Sequence, residues 1–406
     1  MPPAQPTDPS LAAFVDLCGD GRWRHRLAEI GERARALSRQ GRAIQQRHAL
    51  ELALARLRAA PGERPVSAVE RRLLGFAEEA VRLSHTLPPE PRERLRQRLL
   101  QGLTGEATLI PLFHLLRTAA LHRANGFAVH FSGLAEETAH DLVIARDGAE
   151  AEVSCGMVSA EEGRPVHRGD WHALVDAVNP ELQTWLAAHP GRYLLKITLP
   201  EGLSGPAGLA ELHRRISDLL QAERRQDASQ SAVLKLDPLV LAGAQVAGLG
   251  LPAHLRAQFG PEAHLAITGP AMPGSQPGAA SGSVFVMAAR AGREDAIATA
   301  VCHRMREAAT SRLSGTRPGI LAMFVEDVER GEWRGLRERL ELEGAARRFL
   351  TEPAARPVVA VTCASRFELL GLGPPDAAPA GELRFRNPGH PSARLPALAP
   401  AILSTS

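Results

Sequence analysis

Two carboxylates and a serine stand where strand geometry would bring them together: Asp141, Glu152 and Ser154, in the runs His140-Asp141-Leu142-Val143-Ile144 and Ala151-Glu152-Val153-Ser154-Cys155. Between the runs lies Asp147-Gly148, a dipeptide that favours a two-residue hairpin turn because both positions tolerate positive φ. With that turn, Arg146 pairs with Ala149, Val143 faces Glu152, and Asp141 faces Ser154. Side chains alternate across a strand, so Asp141, Glu152 and Ser154 share one face, while Leu142, Ile144, Ala151 and Val153 form an apolar face opposite. Two carboxylates on neighbouring strands suit a hard divalent cation, since Mg²⁺ takes one or two carboxylates and keeps several waters. An ion held there would polarise a phosphate and lower the pKa of a bound water, which is the chemistry of phosphodiester hydrolysis.

The elements that must position this hairpin are legible on either side of it. Ala107–Asn125 carries apolar residues at helical spacing, including Leu109, Leu112, Phe113 and Leu116. His114 on that helix reads as a packed side chain. Asn125-Gly126 ends the helix, and Phe127–Leu134 reads as a strand before the hairpin. Beyond the hairpin, Trp171–Ala188 reads as a helix and Arg192–Leu199 as a strand. The order α-β-β-β-α-β is a three-strand meander followed by a crossover.

This arrangement resembles the PD-(D/E)XK nuclease superfamily, in which an Asp ends one strand and a Glu and a Lys lie two residues apart on the next. The resemblance runs from Glu106 to Lys196, under a quarter of the chain, and implies a restriction-endonuclease-like core. It implies Mg²⁺ or Mn²⁺ held by Asp141 and Glu152, with Glu106 as a further metal or water ligand. A glutamate in a first helical turn is equally explained by the helix dipole. The run Gly163-Arg164-Pro165-Val166-His167-Arg168 is similar to a basic loop after the catalytic strand in some bacterial members, which makes Arg164, His167 and Arg168 candidate phosphate contacts.

Ser154 departs from the pattern, because the family's lysine belongs at that position. Such a preorganised charge is commonly worth about 10²–10³ in rate. The site would then be degenerate and the fold kept for binding, or a cation from elsewhere would act. Lys196, mid-strand in Leu195-Lys196-Ile197, is the candidate migrated lysine, since the strand after the crossover helix lies beside the hairpin in that fold. Arg164 or Arg168 would act with different geometry.

The 406 residues suffice for two or three domains, and 44% apolar content is ordinary for a globular protein. The expected division is a loose tail at 1–19, an Arg-rich helical region at 20–104, the nuclease-like core at 105–236, a C-terminal α/β extension at 237–370 and a Pro-rich tail at 371–406. In the extension, strands are expected at Leu239–Val246, Ala263–Thr268, Ser283–Ala288, Gly319–Val325 and Pro357–Thr362, with a loop at Gly269–Gly282. Residues 20–104 hold 18 arginines against 10 acids, a net of +8 in a chain of +3. That asymmetry suits either a phosphate-binding face or a solvated helical one.

Four widely spaced cysteines argue against a zinc site or a disulfide framework. No apolar run approaches the ~18–20 residues of a membrane span, and the start lacks a secretory pattern. The expected compartment is therefore the cytoplasm, with no membrane partner. Neither a P-loop nor a nucleophile elbow is present. The leading expectation is a nucleic-acid-associated protein with a degenerate nuclease-like core. The alternatives are an active metal-dependent nuclease and a scaffold or regulatory protein without nucleic acid.

Overall fold

The structure is a computed structural model and describes residues 9–35, 38–59, 66–239, 251–260, 263–269 and 283–405. Helices α1 (Pro9–Cys18), α2 (Asp20–Ala34), α3 (Arg39–Arg47), α4 (Ala49–Ala59), α5 (Ala68–Thr86), α6 (Pro89–Gly102) and α7 (Ile110–Ala124) come first. Strand β1 (Ala128–His130), the single turn α8 (Ser132–Ala135), β2 (Leu142–Arg146) and β3 (Ala149–Ser159) follow. Next come α9 (Arg168–Ala188), β4 (Arg192–Leu199), α10 (Gly205–Gln221), β5 (Gln226–Ala228), β6 (Val233–Pro238), α11 (Leu251–Phe259), β7 (His264–Thr268) and β8 (Val284–Ala291). The last stretch holds α12 (Ile297–Ser311), β9 (Gly319–Glu326), α13 (Arg330–Glu338), α14 (Glu341–Leu350), β10 (Val358–Ser365), α15 (Arg366–Leu369), β11 (Leu383–Arg386) and α16 (Ala399–Ile402). The protein is mixed α/β with N-terminal helices.

The chain divides into two units, and the division is nested where the sequence suggests a linear one. One unit comprises Met1–Arg33, Ile44–Glu162 and Ile297–Ser406; the other comprises Ala34–Ala43 and Gly163–Ala296. The ends of the long inserted segment meet, since Ala296 N donates to Gly163 O at 2.7 Å. A segment with adjoining ends can interrupt another fold without distorting it.

The first unit is built on a six-stranded sheet in the order β1-β2-β3-β9-β10-β11. Strand β2 is antiparallel to β1 and β3, the β3, β9 and β10 strands are mutually parallel, and β11 closes the edge antiparallel to β10. Strands β9 and β10 are buried along nearly their whole length. Their unbroken apolar runs, Ile320–Val325 and Val358–Val361, are the pattern of parallel strands covered on both faces. One face packs Leu142, Ile144, Ala151, Val153, Ile320 and Phe324 with Phe113 and Leu116 of α7. The other packs Leu321, Met323 and Val325 with Val301 and Met305 of α12 and Phe349 of α14.

The three-strand meander β1-β2-β3 forms, but the expected crossover through Trp171–Ala188 to Arg192–Leu199 does not join it. Strand β3 pairs in parallel with β9, reached through α12. The expected fourth strand, β4, instead pairs with β6 and β8 in the five-stranded sheet of the second unit, ordered β5-β6-β4-β8-β7. That sheet buries Leu195, Ile197, Leu234, Phe285 and Met287 on one face with α9 and α10. Leu194, Val286 and Ala288 on its opposite face pack with Leu255 of α11.

The expected tails are also structured where they are described. In α1, Leu11, Phe14, Val15 and Cys18 are buried, an i, i+3, i+4, i+7 stripe hidden within a Pro- and Ala-rich run. Near the C-terminus, β11 pairs with β10, and Leu398, Ala401 and Ile402 are wholly buried. The expected loop Gly269–Gly282 and strand Leu239–Val246 lie outside the described residues except for Gly269 and Leu239, as do residues 1–8. Among the described residues no helix is long and apolar enough to cross a membrane.

Candidate functional site

The hairpin forms in the register its turn dictates. Asp147 and Gly148 both take positive φ, 48° and 78°, which is the type I′ geometry that an Asp-Gly pair favours. Arg146 pairs with Ala149 and Val143 with Glu152. Asp141 N donates to Val153 O at 3.0 Å, one step beyond the last strand pair. Leu142, Ile144, Ala151 and Val153 are wholly buried on the apolar face. The polar face is covered too: Asp141 is 4% exposed, Glu152 0% and Ser154 1%.

Every oxygen of the two carboxylates takes a donor from the protein. Asp141 Oδ1 receives Arg98 Nη1 at 3.2 Å, and Oδ2 receives both Arg312 Nη2 and Cys155 N at 2.9 Å. Glu152 Oε2 accepts from Ser314 N at 2.9 Å and Oε1 from Ser314 Oγ at 2.6 Å. His140 Nδ1 and Arg317 Nη1 stand farther off, at 3.8 and 3.9 Å from Glu152. Among the described residues Ser154 Oγ has no hydrogen-bond partner.

The donors come from distant parts of the sequence that the first unit gathers around this hairpin. Arg94 and Arg98 are i, i+4 neighbours on α6 and reach over the β1–β2 connection. Arg94 donates to Leu134 O at 2.7 Å and Ala135 O at 2.9 Å, and also binds Glu137. Arg312, just past α12, donates to Ala139 O as well as to Asp141. Ser314 and Arg317 lie in the turn that leads into β9. Charge-assisted bonds of this kind are roughly twice as strong as neutral ones. Asp141 is thus the knot of a clasp joining α6, the β1–β2 connection and the end of α12.

A divalent cation does not fit this donor set. It would have to displace two guanidinium groups from Asp141 and a serine from Glu152. Among the described residues no group of three or more His, Cys, Asp or Glu side chains is arranged to hold a metal.

The other expected site residues lie elsewhere. Lys196 is on β4 in the second unit, where its ammonium binds Asp237 Oδ2 at 2.9 Å. Glu106 precedes α7, which starts at Ile110 because Pro111 suits a first helical turn; its carboxylate is 70% exposed and holds Arg33 at 2.7 Å. Arg164 is not on a solvent-facing loop. The run around it pairs with a neighbouring segment, Leu203 N donating to Pro165 O and His167 N to Leu203 O. That rung buries Arg164, whose Nε stands 3.8 Å from Asp295. His167 caps α9, with Nδ1 3.7 Å from Asp170, and Arg168 opens the same helix. Arg98, Arg312, Ser314 and Arg317 are not found by reading the sequence. The one local hint is the Arg94/Arg98 spacing on α6.

The unpartnered Ser154 hydroxyl makes two opposite expectations. Ser154→Ala should be neutral or stabilising, because removing an unsatisfied buried hydroxyl relieves its desolvation cost. Ser154→Lys should destabilise by about 1–3 kcal/mol through overpacking and leave cleavage at background with Mg²⁺ or Mn²⁺. Urea unfolding and a plasmid-nicking assay check both, and metal-dependent cleavage by the lysine variant would show that the arginines yield to a metal.

Fold and site together define a mixed α/β protein with a buried, arginine-bound carboxylate pair on the β2–β3 hairpin of a six-stranded sheet. No protein-family model, curated protein or solved structure matched the chain.

Proposed function

We propose that the first unit is a PD-(D/E)XK-like core that no longer hydrolyses and is retained for binding, with nucleic acid as its partner. The observation that carries the reading is the pair of guanidinium groups on Asp141. The reading is supported by the Asp141 and Glu152 spacing, which resembles the family's, on a hairpin whose β3 pairs in parallel with β9, while their oxygens are engaged in holding the fold. Arginine supplies the positive charge of the site, and it does so as structure.

The nucleic-acid partner is supported by the arginine bias of residues 20–104. Part of that bias is internal: Arg26 donates to Gly105 O and Ala107 O, Arg58 to Asp20, and Arg72 to Glu368 O. Arg22, Arg56 and Arg71 remain exposed and are available to phosphates.

Fluorescence anisotropy with labelled DNA and RNA at rising salt tests the reading, alongside a nuclease assay with Mg²⁺ and Mn²⁺. Binding should weaken steeply with salt, since phosphate contacts release counterions, and cleavage should stay at background. Salt-insensitive binding, or metal-dependent cleavage that Asp141→Ala and Glu152→Ala abolish, would contradict it.

A further inference from the structure

Lys196 and Lys235 are the sole lysines of a sequence with 46 arginines, and they stand directly opposite each other across the β4–β6 ladder. Like charges in that position destabilise a strand pair, so packing alone does not account for them. They lie on the face of the second unit's sheet that turns away from α9 and α10. Leu195, Ile197, Leu234 and Leu236, the alternate residues of the same strands, make the core on the other face.

The lysine-bearing face has two halves. At one, Leu194, Val284 and Val286 pack with Leu255. The other half is polar. Gln226 on β5 pairs with Lys235, and Arg290 on β8 pairs with Thr198, two residues along β4 from Lys196. Gln226, Lys235, Thr198 and Arg290 are all exposed. Among the described residues Asp237 is the one carboxylate the strands place on this face, and it binds the Lys196 ammonium at 2.9 Å. Lys235 and Arg290 thus add charge that this carboxylate does not offset.

We infer that this half of the sheet is a track for the sugar-phosphate backbone of a single-stranded nucleic acid. The inference rests on the nucleic-acid reading above and assigns it a surface. The three cations sit on three adjacent strands about 4.8 Å apart, a strip some 10 Å wide on which an extended polyanion can lie. Among the described residues the strands place no aromatic platform for base stacking on this half, since Tyr193 and Phe285 belong to the opposite face. Recognition is therefore of phosphate, without base preference.

The test uses the full chain and a fluorescein-labelled oligodeoxythymidylate. Removing two contacts with Lys235→Gln and Arg290→Gln should make the slope of log K against log salt shallower by about 1.4 and lower affinity about 25-fold at 0.1 M salt, at roughly −0.7 per contact. Both side chains are exposed, and an unchanged melting midpoint checks the fold. In the unsubstituted chain, saturating oligonucleotide should protect Lys235 from acetylation, read by mass spectrometry. Binding with the same slope and affinity in the double variant, or unprotected Lys235, overturns the surface and leaves the nucleic-acid reading standing. If the unsubstituted chain does not bind the oligonucleotide at any salt, the reading and the surface fall together.

Discussion

Replacing Asp141 by alanine is expected to lower folding stability by about 3–5 kcal/mol, the range for breaking a buried ion pair from one side. The size follows from what is left behind. Arg98 and Arg312 lose their shared counter-charge, and Cys155 N loses the acceptor of its 2.9 Å bond. Both arginines are partly exposed, so their heads can regain some water, which favours the lower half of that range. Asp141→Asn should recover a little, because an amide still accepts one bond but brings no charge. A carboxylate kept for catalysis behaves oppositely, since neutralising one of two neighbouring acids commonly relieves repulsion and stabilises the fold. Urea midpoints at pH 7 for the wild type and both variants decide between the two signs.

Acidification should produce the second large effect. His114 and His122 lie along α7, both almost fully buried. His114 Nε2 is bonded to Ala322 O at 3.0 Å and its ring packs 5.1 Å from Phe324. The His122 ring packs edge-on to Phe127 at 5.8 Å, and its Nδ1 has no partner among the described residues. Burial pushes both imidazoles down to about 4 from an ordinary 6.5. The unfolded chain therefore binds protons from pH 6.5 downward while the folded chain resists until about 4. Stability is complete above pH 6.5 and falls as the pH drops towards 4, by up to about 3 kcal/mol for each histidine.

Glu326 acts with the opposite sign. Burial, then the neighbouring Asp327, push its carboxyl up to about 7, so its contribution is present below pH 4.5 and is lost as the pH rises through 7. Two histidines against one partly exposed carboxyl leave a net loss on acidification. Urea unfolding between pH 4 and 7.5 should show that loss in the wild type, and His122→Gln should remove about half of the histidine contribution. A pH dependence identical in the variant would mean that His122 takes up its proton alike in the folded and unfolded chain.

The features legible in the sequence were those set by neighbours along the chain. The Asp-Gly turn fixes the hairpin register, and period-2 alternation fixes which residues share a face. The unbroken apolar runs of β9 and β10 mark buried strands. What was not legible depends on which distant segments meet. Strands consecutive in sequence are usually neighbours in a sheet, and that rule places Lys196 beside Glu152. The insertion of Gly163–Ala296 breaks it, so β9, more than 150 residues later, takes the position next to β3.

The site's partners are remote for the same reason. Arg98 lies 43 residues and Arg312 171 residues from Asp141, and apart from the Arg94/Arg98 spacing nothing local distinguishes them from the other arginines. A motif names the carboxylates; their solvation and counter-charges belong to the tertiary structure. Here those surroundings turn a pattern suited to metal chemistry into a clasp.

The most direct test of that conclusion is a titration of the wild-type chain with Mn²⁺, followed by electron paramagnetic resonance of the free ion. With all four oxygens of Asp141 and Glu152 engaged by protein donors, no saturable site should appear up to millimolar Mn²⁺. A stoichiometric site that disappears in Asp141→Ala and in Glu152→Ala would contradict the clasp and return the pair to metal chemistry.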